Sequence, residues 1–161
     1  MLAASDLDPH APWRALDLGG ADVNGTIHGQ LPNATWDVVD IRPAAGVTIV
    51  ADATTWQPDP AWDVAVTTET LEHVPDWAAI LDTAAAALAP DGPQLLLVTC
   101  ASTGRHPHGA DGSVLPHAGE HYANIDPAAL RAALGARFAV VDVVHQYPPG
   151  DAYAWASGVR R

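Results

Sequence analysis

Short apolar runs alternate with stretches of helical periodicity along the whole chain. Seven runs have the length and the apolar, β-branched character of strands, and each is bounded by turn-forming residues. They are predicted at 14–18, 36–41, 47–51, 62–67, 94–99, 138–147 and 152–159. The fourth is apolar almost without interruption, which is typical of a parallel strand covered by helices on both faces.

Three helices are predicted, two of them long and one short. The first spans 75–89 and ends at the Pro-Asp-Gly of 90–92, and a short helix is expected over 24–31. Asp126 can cap another helix that begins at Pro127. Strands therefore alternate with helices until a final hairpin, which predicts one α/β domain with a mostly parallel, doubly wound seven-stranded sheet and a C-terminal antiparallel hairpin.

Composition and charge narrow the class of protein. The 161 residues are 48% hydrophobic and 16% charged, which predicts a single globular domain over 1–161. Seven basic and nineteen acidic residues give a net charge of −12, so binding to nucleic acid or to an anionic membrane is disfavoured. A single cysteine and an N-terminus without a long apolar run predict a cytoplasmic protein with no signal peptide.

Acidic or small residues follow four neighbouring strands, at the edge where an open parallel sheet binds its ligands. They form the groups Asp17 with Gly19 and Gly20, Asp40 with Ile41, Asp52 with Ala53, and Thr68 with Glu69. A carboxylate about 20 residues beyond a glycine turn can accept hydrogen bonds from a ribose, and Asp40 has that spacing. The dinucleotide pattern G-x-G-x-x-G fails at Ala21 and Asn24, so a nicotinamide-dependent oxidoreductase is disfavoured.

Taken in order, these segments resemble the class I S-adenosylmethionine-dependent methyltransferases of the group with a Leu-Glu-His motif. The matching segments are ALDLGG at 15–20, VVDI at 38–41, ADA at 51–53, TETLEHV at 68–74 and the terminal hairpin. The resemblance covers nearly the whole chain and implies a Rossmann-like fold with S-adenosyl-L-methionine as cofactor. It divides the chain into a cofactor-binding half at 14–100, a lid at 101–125 and a terminal helix and hairpin at 126–161.

The same resemblance implies a set of cofactor-binding residues. Asp17 and Gly19 would lie by the methionine part, Asp40 by the ribose, and Asp52 with Ala53 by the adenine. The full set is Asp17, Gly19, Gly20, Asn24, Asp40, Ile41, Asp52, Ala53, Thr68 and Glu69. The family usually has three glycines in the first turn, and this chain keeps only Gly19 of them. The path of the turn between 20 and 25 is therefore the part that the resemblance defines least.

Methyl transfer to a small or modest-sized acceptor is the predicted reaction. The chain lacks the motif of the adenine-methylating members, and Cys100 lies after the fifth strand, away from the place of a cytosine-methylating nucleophile. Direct displacement then requires alignment and, for a hydroxyl or amine acceptor, a base. The predicted catalytic residues are His73, His121 and Tyr122, although a loop histidine is more often only solvated and His73 could merely pack its own turn.

Two further sets of residues have a structural as well as a functional interpretation. The histidines and the acid of the lid could bind a metal, yet their spacing matches no tight motif, so no metal is predicted. They are His106, His108, Asp111, His117 and His121. Among the tryptophans, three are predicted to be core and two, Trp56 and Trp77, to form cleft walls. The core three are Trp36, Trp62 and Trp155.

A non-catalytic domain that binds the cofactor and serves a partner protein is the alternative function. The altered glycine turn and the short chain favour it. Fold alone would not separate it from an enzyme, and the sequence leaves the acceptor, the methylated atom and the oligomeric state open.

Overall fold

The computed structural model of the protein describes residues 7–161. The prediction that the chain has no signal peptide concerns its N-terminal segment, and residues 1–6 of that segment lie outside the described residues. The described chain contains seven strands and two α-helices. Their bounds are β1 Arg14–Leu18, β2 Thr35–Asp40, β3 Ile49–Val50, β4 Val64–Thr68, α1 Trp77–Ala87, β5 Leu95–Ala101, α2 Pro127–Arg137, β6 Phe138–Gln146 and β7 Asp151–Val159.

All seven strands form one sheet with the order β3-β2-β1-β4-β5-β7-β6. Strands β1 to β5 pair in parallel, whereas β7 is antiparallel to both β5 and β6. The predicted fold class is therefore confirmed, including the single antiparallel strand. The chain moves outward from β1 to β3 and then returns to the other side of β1, so the order reverses between β1 and β4. Ligands of open α/β sheets bind at such a reversal.

One face of the sheet packs against both described helices. Leu16, Leu96 and Val98 of the strands meet Ile80 of α1 and Leu134 of α2 in the larger core cluster. The start of α2 is fixed by Asp126, whose carboxylate accepts hydrogen bonds from two main-chain N–H groups at 2.9 Å. This cap confirms the predicted start of the helix and places the residues before it, the end of the lid, at the edge of the sheet.

The other face of the sheet is covered differently from the prediction. Alternate strand residues, such as Val64 and Leu97, form a second cluster with Leu31, and Trp36 of β2 and Trp13 pack against it. Leu31 and Trp13 come from non-helical segments. Within residues 7–161, neither α-helix contributes to this layer. The expectation that β4 has helices on both faces is therefore wrong, because the connection before β2 covers the second face without forming a helix.

The helix predicted over 24–31 is reduced to one 3-10 turn at His28–Gln30. Gly25 adopts φ of +99°, and its N–H is held by the Asp22 carboxylate at 2.9 Å. The Thr26 hydroxyl accepts a hydrogen bond from the N–H of His28 at 3.4 Å. Because these side chains bind main-chain N–H groups locally, they compete with helical hydrogen bonds. The segment turns instead, and it presents its main chain to the edge of the sheet.

The boundaries of the remaining elements differ from the prediction by a few residues. Strand β3 is only two residues long, and α1 begins two residues after Pro75. Of the tryptophans predicted to be core, Trp62 is buried, while Trp36 and Trp155 are partly buried against the second layer. No helix within residues 7–161 has the length and apolar character needed to span a bilayer.

Candidate active site

A cavity of about 920 Å³ opens at the carboxyl edge of the parallel strands, where the strand order reverses. Its volume lies in the range of small-molecule sites, which is roughly 300–1,000 Å³. All ten residues predicted to bind the cofactor lie on its wall. These are Asp17, Gly19, Gly20, Asn24, Asp40, Ile41, Asp52, Ala53, Thr68 and Glu69. Their location is thus shown, whereas the individual contacts that each would make stay predictions.

The glycine turn after β1 is packed too closely to carry a side chain. Gly19 adopts φ of +76°, and its N–H donates to the carbonyl of Val39 at 2.8 Å. A Cβ added to Gly19 would lie 2.3 Å from Cγ2 of Thr70, and one added to Gly20 would lie 2.4 Å from Cγ of Asp17. Glycine is therefore required at both positions, and it brings the main chain of β1 against the residues that follow β4.

Asp17 is a buried carboxylate with one oxygen free for a ligand. The Asp17 Oδ2 lies 2.9 Å from Nε2 of His28, and the His28 ring stacks on Trp36 with centroids 4.0 Å apart. Asp17 Oδ1 is buried and has no hydrogen-bond partner among residues 7–161. The sequence analysis did not identify His28, because the helix expected over 24–31 gave no reason to place it beside Asp17.

Asp40 and Asp52 occupy the two strand ends on the far side of the cavity. Asp40 accepts hydrogen bonds from the N–H of Arg42 at 3.0 Å and more weakly from that of Ala21 at 3.4 Å. Asp52 Oδ1 accepts from both the hydroxyl and the N–H of Thr54, and these bonds lower the pKa of the Asp52 carboxyl. Both residues therefore tie their own turns together.

Glu69 follows β4 in a strained conformation. Its φ of 51° lies in the left-handed region, which costs a residue other than glycine roughly 1–2 kcal/mol. The Glu69 carboxylate accepts a hydrogen bond from the Thr99 hydroxyl at 3.1 Å. Such strain persists where the surrounding structure fixes it, and it is frequent at functional sites. Here it turns the chain sharply from β4 into the Leu71–His73 turn.

The end of the cavity beside this turn carries a cluster of titratable side chains from the sheet edge and from the lid. His73 and His108 line the cavity wall, and their rings lie edge to face with centroids 5.2 Å apart. Tyr122 packs edge to face on both rings, at 5.5 Å from His73 and 5.0 Å from His108. Glu72 is fully buried behind them, and its Oε1 lies 3.8 Å from Nε2 of His108.

Burial sets the protonation of this cluster. It raises the pKa of Glu72 to about 7, with a further contribution from the charge of Glu69. Burial also lowers the pKa of His73, with help from His108, so the His73 imidazole is neutral at physiological pH and its nitrogen lone pair is available. Burial and the charge of Glu72 raise the pKa of Tyr122 to about 12. Tyr122 therefore stays protonated and can donate a hydrogen bond but not remove a proton.

The three predicted catalytic residues are thus placed differently. His73 lies on the wall of the cavity, whereas His121 and Tyr122 do not. The His121 side chain is exposed, and the Tyr122 hydroxyl lies 3.0 Å from Oδ1 of Asn124 and 3.3 Å from the carbonyl of His106. Sequence reasoning named His108 only as a possible metal ligand of the lid. Glu72 was not singled out, although its place in the Leu-Glu-His motif, next to His73, was visible.

The segment predicted as the lid, residues 101–125, contributes to one side of the cavity wall. Gly109, Ala110 and Gly112 lie on the cavity wall, and a Cβ on Gly112 would come within 2.9 Å of the Asn24 side chain. Both lid ends are anchored to the sheet. Arg105 forms an ion pair with Asp151 of β7, and the Ser102 hydroxyl donates to the carbonyl of Ile125 at 2.6 Å.

Three residues considered in the sequence analysis lie away from the cavity wall. Cys100 is fully buried in the larger core cluster, and burial raises the pKa of its thiol, so it packs as an apolar side chain. Trp56 and Trp77 also pack against that cluster. Neither tryptophan lines the cavity, so the expectation that they form cleft walls is wrong. Trp56 instead packs edge to face on Trp62, with centroids 5.8 Å apart.

Comparison with known proteins adds a family to this geometry. Residues 4–143 match the family model described as "Methyltransferase domain". A search of curated proteins found no match.

Solved structures share the fold at low sequence identity. The DhpI complex with SAH has a TM-score of 0.67 and 21% identity, covering 92% of this chain and 78% of that one. Burkholderia thailandensis 1,6-didemethyltoxoflavin-N1-methyltransferase, bound to 1,6-didemethyltoxoflavin and S-adenosylhomocysteine, gives 0.62 and 18%, covering 92% and 71%. An S-adenosylmethionine-dependent methyltransferase from Mesorhizobium loti gives 0.63 and 15%, covering 98% and 95%. At these identities the likeness shows the fold.

Proposed function

The chain belongs to the methyltransferase domain family, and we propose that it transfers the methyl group of S-adenosyl-L-methionine directly to a small-molecule acceptor. The observation that carries this proposal is the cavity at the strand reversal, whose wall holds every predicted cofactor residue. Complexes of similar fold that contain S-adenosylhomocysteine, one of them with 1,6-didemethyltoxoflavin, support the cofactor and the size of the acceptor.

The residues present fit this cofactor. The unpaired Oδ1 of buried Asp17 is an acceptor for an ammonium group, and an ionic hydrogen bond there would relieve the cost of its burial. The Gly19 cradle, which a Cβ would fill, allows a ligand to approach the main chain. Asp40 would bind the ribose hydroxyls, and Asp52 with Ala53 would face the adenine. Asn24 and Gly20 would complete the methionine side.

The protein's own contribution is alignment, exclusion of water and control of one proton. S-adenosyl-L-methionine, when bound, supplies an electrophilic methyl group on a sulfonium. Thr68 and Glu69 would flank the methionine part, and the lid would cover the acceptor. His73 is the acceptor-side group, because its neutral imidazole lines the cavity and offers a lone pair to a proton or to a cation. Tyr122 and exposed His121 remain candidates for contact with the acceptor.

This assignment gives each of the three predicted segments of the chain a separate role. Residues 14–100 hold the cofactor, residues 101–125 form the lid and bind the acceptor, and residues 126–161 support the lid through the Arg105–Asp151 pair. The cavity wall has several carboxylates and one arginine, Arg42, which favours a cationic ligand over a nucleic acid. A cytoplasmic location, from the single cysteine, belongs to the same proposal.

Calorimetric titration with S-adenosyl-L-methionine, S-adenosylhomocysteine and NAD tests the proposal. Saturable binding of the first two and not of NAD is expected. Asp40→Ala should weaken binding by about 2–3 kcal/mol, since it removes charge-assisted hydrogen bonds. Asp59→Ala is the matched control, because Asp59 is an exposed carboxylate that does not line the cavity. Binding of neither sulfur compound, or equal affinities in wild type and Asp40→Ala, would contradict the assignment.

The non-catalytic alternative is separated by a second measurement. It predicts cofactor binding with no methyl transfer to any member of a panel of small hydroxyl and amine acceptors, with or without added divalent cation. The altered glycine turn, which motivated this alternative, still brings the main chain against Thr70 and leaves an oxygen of Asp17 free.

A further inference from the structure

Three side chains at the acceptor end of the cavity converge without binding one another. Glu72 and His73 come from the turn after β4, and His108 comes from the lid. Each offers one ligand atom, and these atoms all lie within 4.8 Å of one another. We propose that Glu72, His73 and His108 form a binding site for a divalent cation of the zinc class, completed only when the lid is in place.

The hydrogen bonds of Glu72 account for only one of its carboxylate oxygens. Oε1 accepts from the N–H of Ala101 at 3.0 Å, and the Glu72 carbonyl accepts from the N–H of Ala123 at 2.9 Å. These bonds tie both ends of the lid to the turn and constitute a structural role. Glu72 is 0% exposed, and its Oε2 has no hydrogen-bond partner among the described residues. The structural hydrogen bonds of the carboxylate use only Oε1, and burying Oε2 without a partner costs free energy.

The His73 imidazole presents the same unmet requirement. His73 Nδ1 is buried and has no hydrogen-bond partner within residues 7–161. His108 is the one basic side chain within ion-pair range of Glu72 in this part of the chain, and its Nε2 is 3.8 Å from Oε1, beyond hydrogen-bond distance. The nearby Arg105 is occupied by Asp151. A cation among the three ligand atoms would satisfy all of them at once.

The donor set selects the kind of cation. Two imidazole nitrogens and one carboxylate are the ligands of many catalytic zinc sites, whereas Mg²⁺ and Ca²⁺ prefer oxygen donors. Ligand atoms around a tetrahedral ion with bonds of about 2.1 Å lie about 3.4 Å apart. Separations of up to 4.8 Å therefore require a contraction of up to about 1.4 Å. We assign this contraction to His108, because its side chain is 22% exposed whereas that of Glu72 is fully buried.

A fourth coordination position would face the cavity, because His73 and His108 both line its wall. An oxygen donor of the acceptor, such as a phenol, enol or hydroxamate, fits that position. This part of the inference rests on the proposed function. It would make His73 a ligand, so that the cation and not the imidazole would stabilise the acceptor's oxyanion, with its proton released to solvent through the cavity mouth.

Titration with Co²⁺ followed by visible absorption tests the site directly. The full chain, prepared without a histidine tag and treated with chelator, is expected to bind one Co²⁺ with the intense bands of a four- or five-coordinate ion. His108→Ala should weaken binding by more than about 100-fold, because even outer-shell changes at metal sites cost 10–100-fold. Glu72→Gln should do the same. His106→Ala is the matched control, since His106 is an exposed lid histidine outside the cluster, and it should bind like the wild type.

Two further readouts make the outcome decisive. Binding of Co²⁺ should slow proteolysis between 102 and 124, because the ion would join the lid to the sheet edge, and acetohydroxamate should shift the spectrum of the loaded protein. No stoichiometric binding, or equal binding by wild type and a folded His108→Ala, would overturn the site. Binding without a response to acetohydroxamate would overturn the open position. Neither assay contains S-adenosyl-L-methionine, so calorimetry of that ligand in chelator judges the proposed function separately.

Discussion

Gly19 packs directly against Thr70, and Gly19→Ala is therefore a sharp perturbation of the glycine turn. Alanine at φ of +76° carries a left-handed cost of roughly 1–2 kcal/mol. Its Cβ would also lie 2.3 Å from Thr70 Cγ2 and 2.4 Å from Oγ1. Overpacking of this kind costs about 1–3 kcal/mol. The two effects together should lower the free energy of unfolding by about 2–5 kcal/mol.

The chain provides a control that separates the two costs. Gly46 has a similar φ of +85°, but a Cβ there would have nothing within 4 Å. Gly46→Ala should therefore cost only the roughly 1–2 kcal/mol of backbone strain. The overpacking can be isolated by combining Gly19→Ala with Thr70→Ala, which removes the two nearest atoms and leaves the Thr70 Cβ at 2.9 Å. The double variant should recover about 1–3 kcal/mol relative to the sum of the single changes.

Urea denaturation monitored by circular dichroism measures these differences, and calorimetry of S-adenosylhomocysteine measures the effect on the site. Gly19→Ala should weaken binding in the folded protein, while Gly46→Ala should not, because Gly46 lies off the cavity wall. The reasoning would be refuted if Gly19→Ala and Gly46→Ala destabilised the protein equally, or if Thr70→Ala gave no coupling with Gly19→Ala.

Three further predictions concern the supports of the site. Asp126→Ala should lower the unfolding free energy by about 1 kcal/mol in urea denaturation, because it removes the cap of α2, and an unchanged midpoint would contradict the cap. Arg105→Ala should cost about 1–2 kcal/mol and speed cleavage by proteinase K within 102–124, since it leaves Asp151 without its cation; an equal cleavage rate would show that other contacts hold the lid. The Asp111 carboxylate accepts a hydrogen bond from His117, with Oδ2 2.8 Å from Nε2, which raises the pKa of His117 and lowers that of Asp111. The attraction between the two charges is therefore complete below the ordinary histidine pKa and is lost as the pH rises through the raised pKa of His117. The NMR titration of His117 should move to lower pH in Asp111→Asn. An unchanged titration would show that the pair does not form.

The sheet could be predicted from sequence because its signals are local. Strand β1 matches its prediction to the residue, and the antiparallel position of β7 follows from a hairpin whose turn is visible as Pro-Pro-Gly-Asp. The covering of the second face could not be predicted, since it depends on where a non-helical segment docks. Side chains at Asp22 and Thr26 divert the main-chain hydrogen bonds there, and Leu31 and Trp13 supply the apolar surface that a helix would otherwise give.

The site divides in the same way. Residues at strand ends were predictable, because parallel strands bring their carboxyl ends to one edge. Partners that reach the site across loops were not: His28 meets Asp17 only because its helix fails to form, and His108 meets Glu72 only because the lid folds back. Glu72 also lies in a turn whose sequence gives no sign that its carboxylate points inward and that His73 points to the cavity.

The charge of the cavity wall links the failed dinucleotide pattern to the proposed cofactor. Asp17, Asp40, Asp52 and Glu69 line it, with Arg42 as the one arginine on the wall. Two opposite unit charges about 5 Å apart attract by roughly 3 kcal/mol at an effective dielectric constant of about 20, and two like charges repel by as much. A diphosphate would meet that repulsion several times, whereas a ligand with an ammonium and a sulfonium would gain from it. The same excess of carboxylates that disfavours nucleic acid on the scale of the whole chain thus selects a cationic ligand at the site.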